Sequence, residues 1–252
     1  MLDYDEEAER YDASRGGEPR AAAAAEAVLG LLPPGTRRLL DVGCGTGIVT
    51  RRLAAGRDGL RVTGVDRASA MARQAAARVP GAVVLADGRR LPFRTGRFGA
   101  VTSVWLLHLA PSEEDAGAVV AECARVLVPG GVYVTTVDKA ASHNVGSDID
   151  AVLAARPPSP VRDSADLVER YATGHGLVPV GEARFPGHGQ GRSPRRTIAD
   201  LRRGWFVTLP PGDPLTEEFA ARLARLPDQD RPRPDPVFAL RAFRKPADPR
   251  PA

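Results

Sequence analysis

The stretch Leu39-Leu40-Asp41-Val42-Gly43-Cys44-Gly45-Thr46-Gly47 decides how the rest of the chain is read. An apolar run ends in a carboxylate and then in three glycines at a spacing of two. Glycine lets the backbone turn sharply and lets a ligand lie against it with no Cβ in the way. A helix that starts straight after such a bend points its free N–H groups at whatever sits there. Two phosphate-binding loops do not fit. A dinucleotide loop, Gly-x-Gly-x-x-Gly, wants a small sixth residue, and here that residue is Ile48. The Gly-Lys-Ser/Thr ending of a nucleoside triphosphate loop is absent as well.

Working outward, residues 18–32 read as a helix stopped by Pro33-Pro34-Gly35. Residues 38–42 form an apolar strand and 46–55 a helix. Residues 60–65 form a second strand and 68–79 a helix stopped by Pro80-Gly81. Strands follow at 82–85 and 98–104. Ser112 before Glu113, Glu114 and Asp115 is an N-cap with acids in the first turn. Its helix runs to Val128 and stops at Pro129-Gly130-Gly131, and 132–137 is a fifth strand. Strands that are apolar throughout, alternating with helices, predict an α/β fold with a doubly wound, mostly parallel sheet. Its ligands bind at the carboxyl ends of the strands.

Further on, 163–174 reads as a helix, and 177–185 and 237–243 as strands six and seven. About fifty residues separate those two strands, far more than a hairpin needs. They contain Gly187-His188-Gly189-Gln190-Gly191-Arg192 and helical patterns near 197–206 and 216–226. This is a helical lid inserted before the last strand. The expected organisation is a mobile N-terminal cap (1–19), an α/β domain (20–184 and 235–245), the lid (185–234) and a disordered tail (246–252).

A chain of 252 residues can bury a full core without disulfides or metals. Cys44 and Cys123 have neither disulfide nor metal-ligand spacing, which fits a reducing compartment, and no metal site is expected. No apolar run has the length of a membrane span. The acidic start, Met1-Leu2-Asp3-Tyr4-Asp5-Glu6-Glu7, resembles neither a signal nor a transit peptide. The expectation is a cytoplasmic protein, monomer or homodimer, away from membranes. The formal charge is +4, yet all basic residues except Lys139 and Lys245 are arginine. With abundant Ala, Gly and Pro this reads as coding bias. No dense basic run with interleaved aromatics points to nucleic acid.

Leu-Asp-Val-Gly-Cys-Gly-Thr-Gly resembles the first motif of class I S-adenosylmethionine (SAM)-dependent methyltransferases. Val62-Thr63-Gly64-Val65-Asp66 resembles the family's second strand with its terminal acid. Ala86-Asp87-Gly88, followed by Leu91-Pro92-Phe93, resembles the acid after strand three. Residues 98–109 resemble strand four and its loop, and Ala124-Arg125-Val126-Leu127-Val128-Pro129-Gly130-Gly131 the fifth-strand unit. The resemblance covers roughly residues 20–138 and is closest to the small-molecule, methyltransferase type 11-like branch.

The resemblance implies SAM as cofactor, S-adenosylhomocysteine (SAH) as product, a Rossmann-like seven-stranded sheet and a set of contacts. Asp66, with Arg67 beside it, accepts from the ribose hydroxyls; its alternative is a helix cap. Asp87 and Gly88 meet the adenine; the alternative for Asp87 is a turn-forming Asp-Gly. Asp41 holds the methionine ammonium, and Gly43, Cys44, Gly45 and Gly47 line the methionine portion. Val104 and Trp105 flank the sulfonium. Tyr11 and Arg20 close over the cofactor, unless the N-terminal segment is a cap without contact.

Methyl transfer is an in-line displacement, so the protein chiefly supplies position and a dry wall. Trp105 and Trp205 with Phe206 are expected in that wall, and Leu106 and Leu107 in the core. A hydroxyl acceptor needs a base, and imidazole titrates near pH 6.5. His108, His143 and His188 are the candidates, with a packing role open for His108; His175 reads as structural. The lid arginines 184, 192, 195, 196, 202 and 203 read as solvated surface rather than an anion site. The expected function is methylation at O, N or C of a small molecule, a secondary-metabolite intermediate. The alternative is a cyclase or rearrangement enzyme of the same fold that keeps SAM without transferring methyl.

Overall fold

The structure, a computed structural model, describes residues 4–204 and 213–247. Trp205 and Phe206 lie outside the described residues, as do 1–3 of the expected cap and 248–252 of the expected tail. In chain order the first half holds α1 (Tyr4–Ser14), α2 (Gly17–Gly30), β1 (Arg38–Val42), α3 (Ile48–Ala55), β2 (Arg61–Asp66), α4 (Ser69–Arg78), β3 (Val83–Leu85) and β4 (Phe98–Ser103). The second holds α5 (Glu113–Val126), β5 (Leu127–Val137), α6 (Asp148–Leu153), α7 (Ala165–Gly174), β6 (Val178–Pro186), α8 (Pro194–Arg202), α9 (Pro214–Leu223) and β7 (Val237–Arg244). Short 3-10 turns sit at Leu107–Leu109 and Ala141–His143.

The strands lie in the order β3-β2-β1-β4-β5-β7-β6. β1 to β5 pair in parallel, and β7 runs antiparallel between β5 and β6. The chain therefore winds outward from β1 to β3, then crosses back to β4. The crevice between the carboxyl ends of β1 and β4 is the switch point where such sheets bind ligands. With α8 and α9 inserted before β7, the expected doubly wound α/β sheet is present.

Leu39 and Leu40 are both fully buried, in separate cores. Successive side chains leave a strand on opposite faces. The Leu39 face is covered by Ala21, Ala24 and Val28 of α2 and Leu53 of α3. The Leu40 face is covered by Val120 and Cys123 of α5 and Val168 of α7. Each of these Leu and Val side chains stabilises the fold by about 1.5–3 kcal/mol.

Ser112 caps α5 as its sequence predicts, its hydroxyl accepting the Asp115 N–H at 3.0 Å. β5 starts earlier than expected. Pro129-Gly130-Gly131 does not precede the strand but bulges within it: the pairing jumps from Phe98↔Leu127 to Ala100↔Val132, with Gly130 at φ 80°.

Two features, one N-terminal and one in the lid, add to the sequence reading. Residues 4–14, read as part of a mobile cap, form a helix pinned by polar contacts. Asp12 accepts the Thr46 hydroxyl at 2.7 Å and pairs with Arg78 at 2.6 Å. Asp5 accepts the Ala70 N–H at 2.6 Å, in the first turn of α4, where a carboxylate suits the helix dipole. Arg196 of α8 donates to the Ser14 carbonyl. The docking is polar, so apolar periodicity carries no sign of it. The second feature is α6, which joins the lid from before β6. Ile149, Leu153, Leu201, Phe219 and Leu223 form a small core of their own. Arg192 pairs with Asp150 and Arg233 with Asp148, each at 2.6 Å. Ser147 and Asp150 form a reciprocal capping box, the signal that marks this helix in the sequence. Among the described residues no helix is long and apolar enough to cross a membrane.

Candidate functional site

The bend after β1 has Gly43, Gly45 and Gly47 at φ 72°, 56° and 78°, a region that favours glycine. The N–H groups of Gly43 and Cys44 both donate to the Val65 carbonyl, at 2.8 and 2.9 Å, which ties the bend to β2. A Cβ at Gly43 would stand 2.7 Å from Leu106 Cδ1, and one at Gly47 2.7 Å from Ala75 Cα. At Gly45 a Cβ would meet nothing within 4 Å. Gly43 and Gly47 are thus required by packing, whereas Gly45 faces open space where a ligand can rest on the backbone.

Asp66, at the tip of β2, receives the Gly45 N–H on Oδ2 at 2.8 Å and the Ala68 N–H on Oδ1 at 2.9 Å. Each oxygen keeps a lone pair, so the carboxylate shapes the bend and can still accept from a ligand. Burial raises its pKa above the ordinary value. Asp41 lies beneath, only 3% exposed, and accepts the Thr50 hydroxyl at 2.6 Å. Burial pushes its carboxyl up to about 6. Cys44 packs under Gly64, and burial pushes its thiol up, so it is a filler rather than a nucleophile.

α1 roofs this side. The rings of Tyr4 and Tyr11 stand 6.1 Å apart, and Tyr4 faces Asp66 and the exposed Arg67. Asp87 is engaged at close range by a residue the sequence reading passed over. Its Oδ1 accepts the Arg89 backbone N–H at 2.8 Å, and its Oδ2 takes the Arg89 guanidinium at 2.6 Å. Arg89 also reaches Asp115. The guanidinium holds the Asp87 carboxyl below its ordinary range. The turn-forming alternative is therefore realised here, and any bond to a base would share the carboxylate with Arg89.

Across the switch point an aromatic cluster is packed. Trp105, just after β4, has φ 56°, and its N–H donates to Thr136 Oγ1 at 2.7 Å. Its indole meets Phe185 and Phe238 with ring centroids 5.5 Å away in each case. Arg20, 4% exposed, lays its guanidinium on the indole face at 4.2 Å. His143 packs on Phe238 at 5.5 Å. The turn between α1 and α2 and the 187–192 loop meet above: a Cβ at Gly16 would stand 1.9 Å from the His188 carbonyl. A separate depression of about 490 Å³ near Asp138, Ser142, Arg184 and Asp235 holds no residue of the glycine bend.

Residues 40–135 match the Methyltransferase domain family. Over those residues the chain is similar to a methyltransferase domain. An uncharacterized chloroplastic methyltransferase of Arabidopsis thaliana is 37% identical over 39% of this chain and 30% of its own length. The ubiquinone/menaquinone biosynthesis C-methyltransferase UbiE of Desulfotalea psychrophila is 36% identical over 39% and 40%. An uncharacterized methyltransferase of Mycobacterium tuberculosis is 32% identical over 59% of both chains. The chain thus spans less than two thirds of the length of these relatives. Among solved structures, the cyclase SpnF is similar in fold, with TM-score 0.61 and 21% identity over 97% of this chain and 94% of its own. So is the candidate methyltransferase held by the Trm112 activator of Haloferax volcanii, at TM-score 0.60 and 18% identity over 98% and 99%.

At the end of β4, Val104 is buried and Trp105 half-buried. Leu107 is core, while Leu106 packs against Gly43 and Gly88. His108 and His143 lie in the short turns that follow β4 and β5, at the same edge of the sheet. Burial, then the facing cations Lys139 and others, holds His108 well below its ordinary pKa and lowers His143 to about 2. A base that weak gains little from proton abstraction. His188 is exposed; its backbone, not its ring, meets Gly16. The residue passed over is Lys139, one of two lysines in an arginine-rich chain. It follows β5 at the same edge as Trp105, and burial lowers its pKa to about 8.

Proposed function

We propose that the protein transfers a methyl group from SAM to an O, N or C atom of a small biosynthetic molecule. The observation that carries this reading is the open Gly45 bend with the Asp66 carboxylate bonded to its N–H at 2.8 Å. A backbone bare of Cβ and a carboxylate with spare lone pairs suit a ribose-bearing ligand that must lie flat on the strand ends. Asp66 would accept from the ribose hydroxyls, Asp41 would face the ammonium, and Gly43, Gly45 and Gly47 would line the methionine portion. When bound, SAM supplies a methyl carbon already activated by its sulfonium.

The chain's own part is position and dryness. Trp105, Phe185 and Phe238 keep water from the end of β4, where a displacement that disperses charge gains from apolar walls. Tyr11 and Arg20 would close the cofactor side. Holding the acceptor at attack distance accounts for about 7–11 kcal/mol of barrier in such reactions, so no strong base is demanded of His108 or His143. Calorimetry with SAM and with SAH tests the reading. Both should bind, and Asp66→Ala should weaken both. A wild-type protein that gives no heat with either overturns it. With an acceptor in hand, product heavier by one methylene unit separates transfer from rearrangement.

A further inference from the structure

The depression beside Asp138 is a cavity of about 490 Å³ that holds no residue of the glycine bend or of the aromatic cluster. Asp138, Ser142 and Val145 come to it from the turn after β5, Arg184 from the end of β6, and Asp235 and Val237 from the entry to β7. β7 runs antiparallel to both neighbours, so these three segments meet at one edge of the sheet. Val137 pairs with Ala239, and Ala239 with Arg184. Asp138 and Arg184 therefore stand two strands apart, with about 10 Å between their backbones. Phe238 turns to the opposite face, onto Trp105, so cavity and aromatic cluster lie back to back. The cavity holds charges of both signs. Arg184, read from the sequence as solvated surface, is exposed and has no hydrogen bond or ion pair among the described residues. Asp138 accepts one N–H, that of Ala165, on Oδ1 at 3.3 Å, and its Oδ2 has no partner among the described residues. Asp235 is different: its oxygens take the Gly189 and Gly191 N–H groups at 3.1 and 2.7 Å and tie down that loop.

We propose that this cavity binds a small zwitterion of the amino-acid class, its carboxylate on the Arg184 guanidinium and its ammonium on Asp138 Oδ2. A guanidinium grips a carboxylate through two parallel N–H bonds, and a free carboxylate oxygen suits an ammonium. Arg184 and Asp138 are too far apart along the sheet edge to satisfy each other, and a molecule that carries both charges bridges them. One charge alone fits poorly. A lone anion meets Asp138 and Asp235 as like charges, and a lone cation meets Arg184. A neutral apolar ligand takes water from both charges and gives nothing back. Val145 and Val237 offer the aliphatic part of the ligand an apolar wall. The outer lid arginines do not compete for it: Arg195 and Arg202 are paired with Asp230 and Glu217 at the surface. The site shares no residue with the cofactor cradle, so the proposal does not depend on the methyltransferase reading.

The test is calorimetry on the full chain with three probes of one shape: L-leucine, 3-methylbutylamine, which lacks the carboxylate, and 4-methylpentanoate, which lacks the ammonium. L-Leucine should bind about tenfold more tightly than either. Arg184→Gln and Asp138→Asn should each weaken L-leucine about tenfold. Asparagine keeps the acceptor for the Ala165 N–H and tolerates the φ of 52° at this position, so the second variant removes charge and leaves the turn in place. SAH affinity, measured in parallel, should stay within roughly threefold in both variants. No binding of L-leucine, a singly charged probe that binds as tightly, or L-leucine affinity indifferent to either substitution overturns the proposal. So does a tenfold loss of SAH affinity in either variant, which would give that residue to the cofactor side. Failure of wild type to bind SAH is the separate failure of the methyltransferase reading and leaves the comparison of the three probes intact.

Discussion

The two sides of the switch point are built by different means. On the β1–β2 side the site is backbone: three glycines at positive φ, two N–H groups on one carbonyl, and a carboxylate bonded to the bend. On the β4–β5 side it is side chains brought from afar: Arg20 from α2, Trp105 from β4, His143 from the turn after β5, Phe185 and Phe238 from the last strands. The first is a fixed cradle whose shape is set by the backbone; the second would change shape with the change of a few side chains.

The largest expected effect tests the first side. Asp66→Ala removes an acceptor of two charge-assisted hydrogen bonds, each worth about 1.5–3 kcal/mol. SAH affinity should fall about a hundredfold by calorimetry. A loss below about fivefold would mean that the bend, not the acid, holds the ribose.

The glycines sharpen the contrast within that side. Gly47→Ala forces a Cβ against Ala75 at positive φ and should cost about 1–3 kcal/mol of stability. Melting should drop by roughly 2–4 °C per kcal/mol for a chain this long. Gly45→Ala meets no neighbour and should cost less stability while weakening SAH about tenfold. Equal behaviour of the two variants would break the distinction between packing and ligand glycines.

The smallest effect belongs to His188→Ala: with an exposed ring, it should leave SAH affinity within about twofold.

The difference between the sides also explains what the sequence could say. Asp41, Gly43, Gly45, Gly47 and Asp66 are legible because a cradle made of backbone needs particular residue types at particular spacings. The parallel strands and the Ser112 cap are legible for the same local reason. Arg89 against Asp87 is local but is charge without pattern, and α1 pinned by Asp5 and Asp12 depends on partners dozens of residues away. α6 is the exception that proves recoverable: its Ser147–Asp150 box was local. For the histidines, ring identity is visible in a sequence and burial is not.

Trp105 carries a last consequence. Its backbone sits at φ 56°, where any side chain beyond hydrogen costs about 1 kcal/mol or more. The usual ranking of replacements should therefore invert at this position. Trp105→Gly would shed the ring and the torsional penalty together, whereas Trp105→Ala would shed only the ring, so the glycine variant should melt higher. The fold itself would prefer the smallest residue here; the indole stands in spite of the chain's conformational economy, as a tool mounted on a bent bracket.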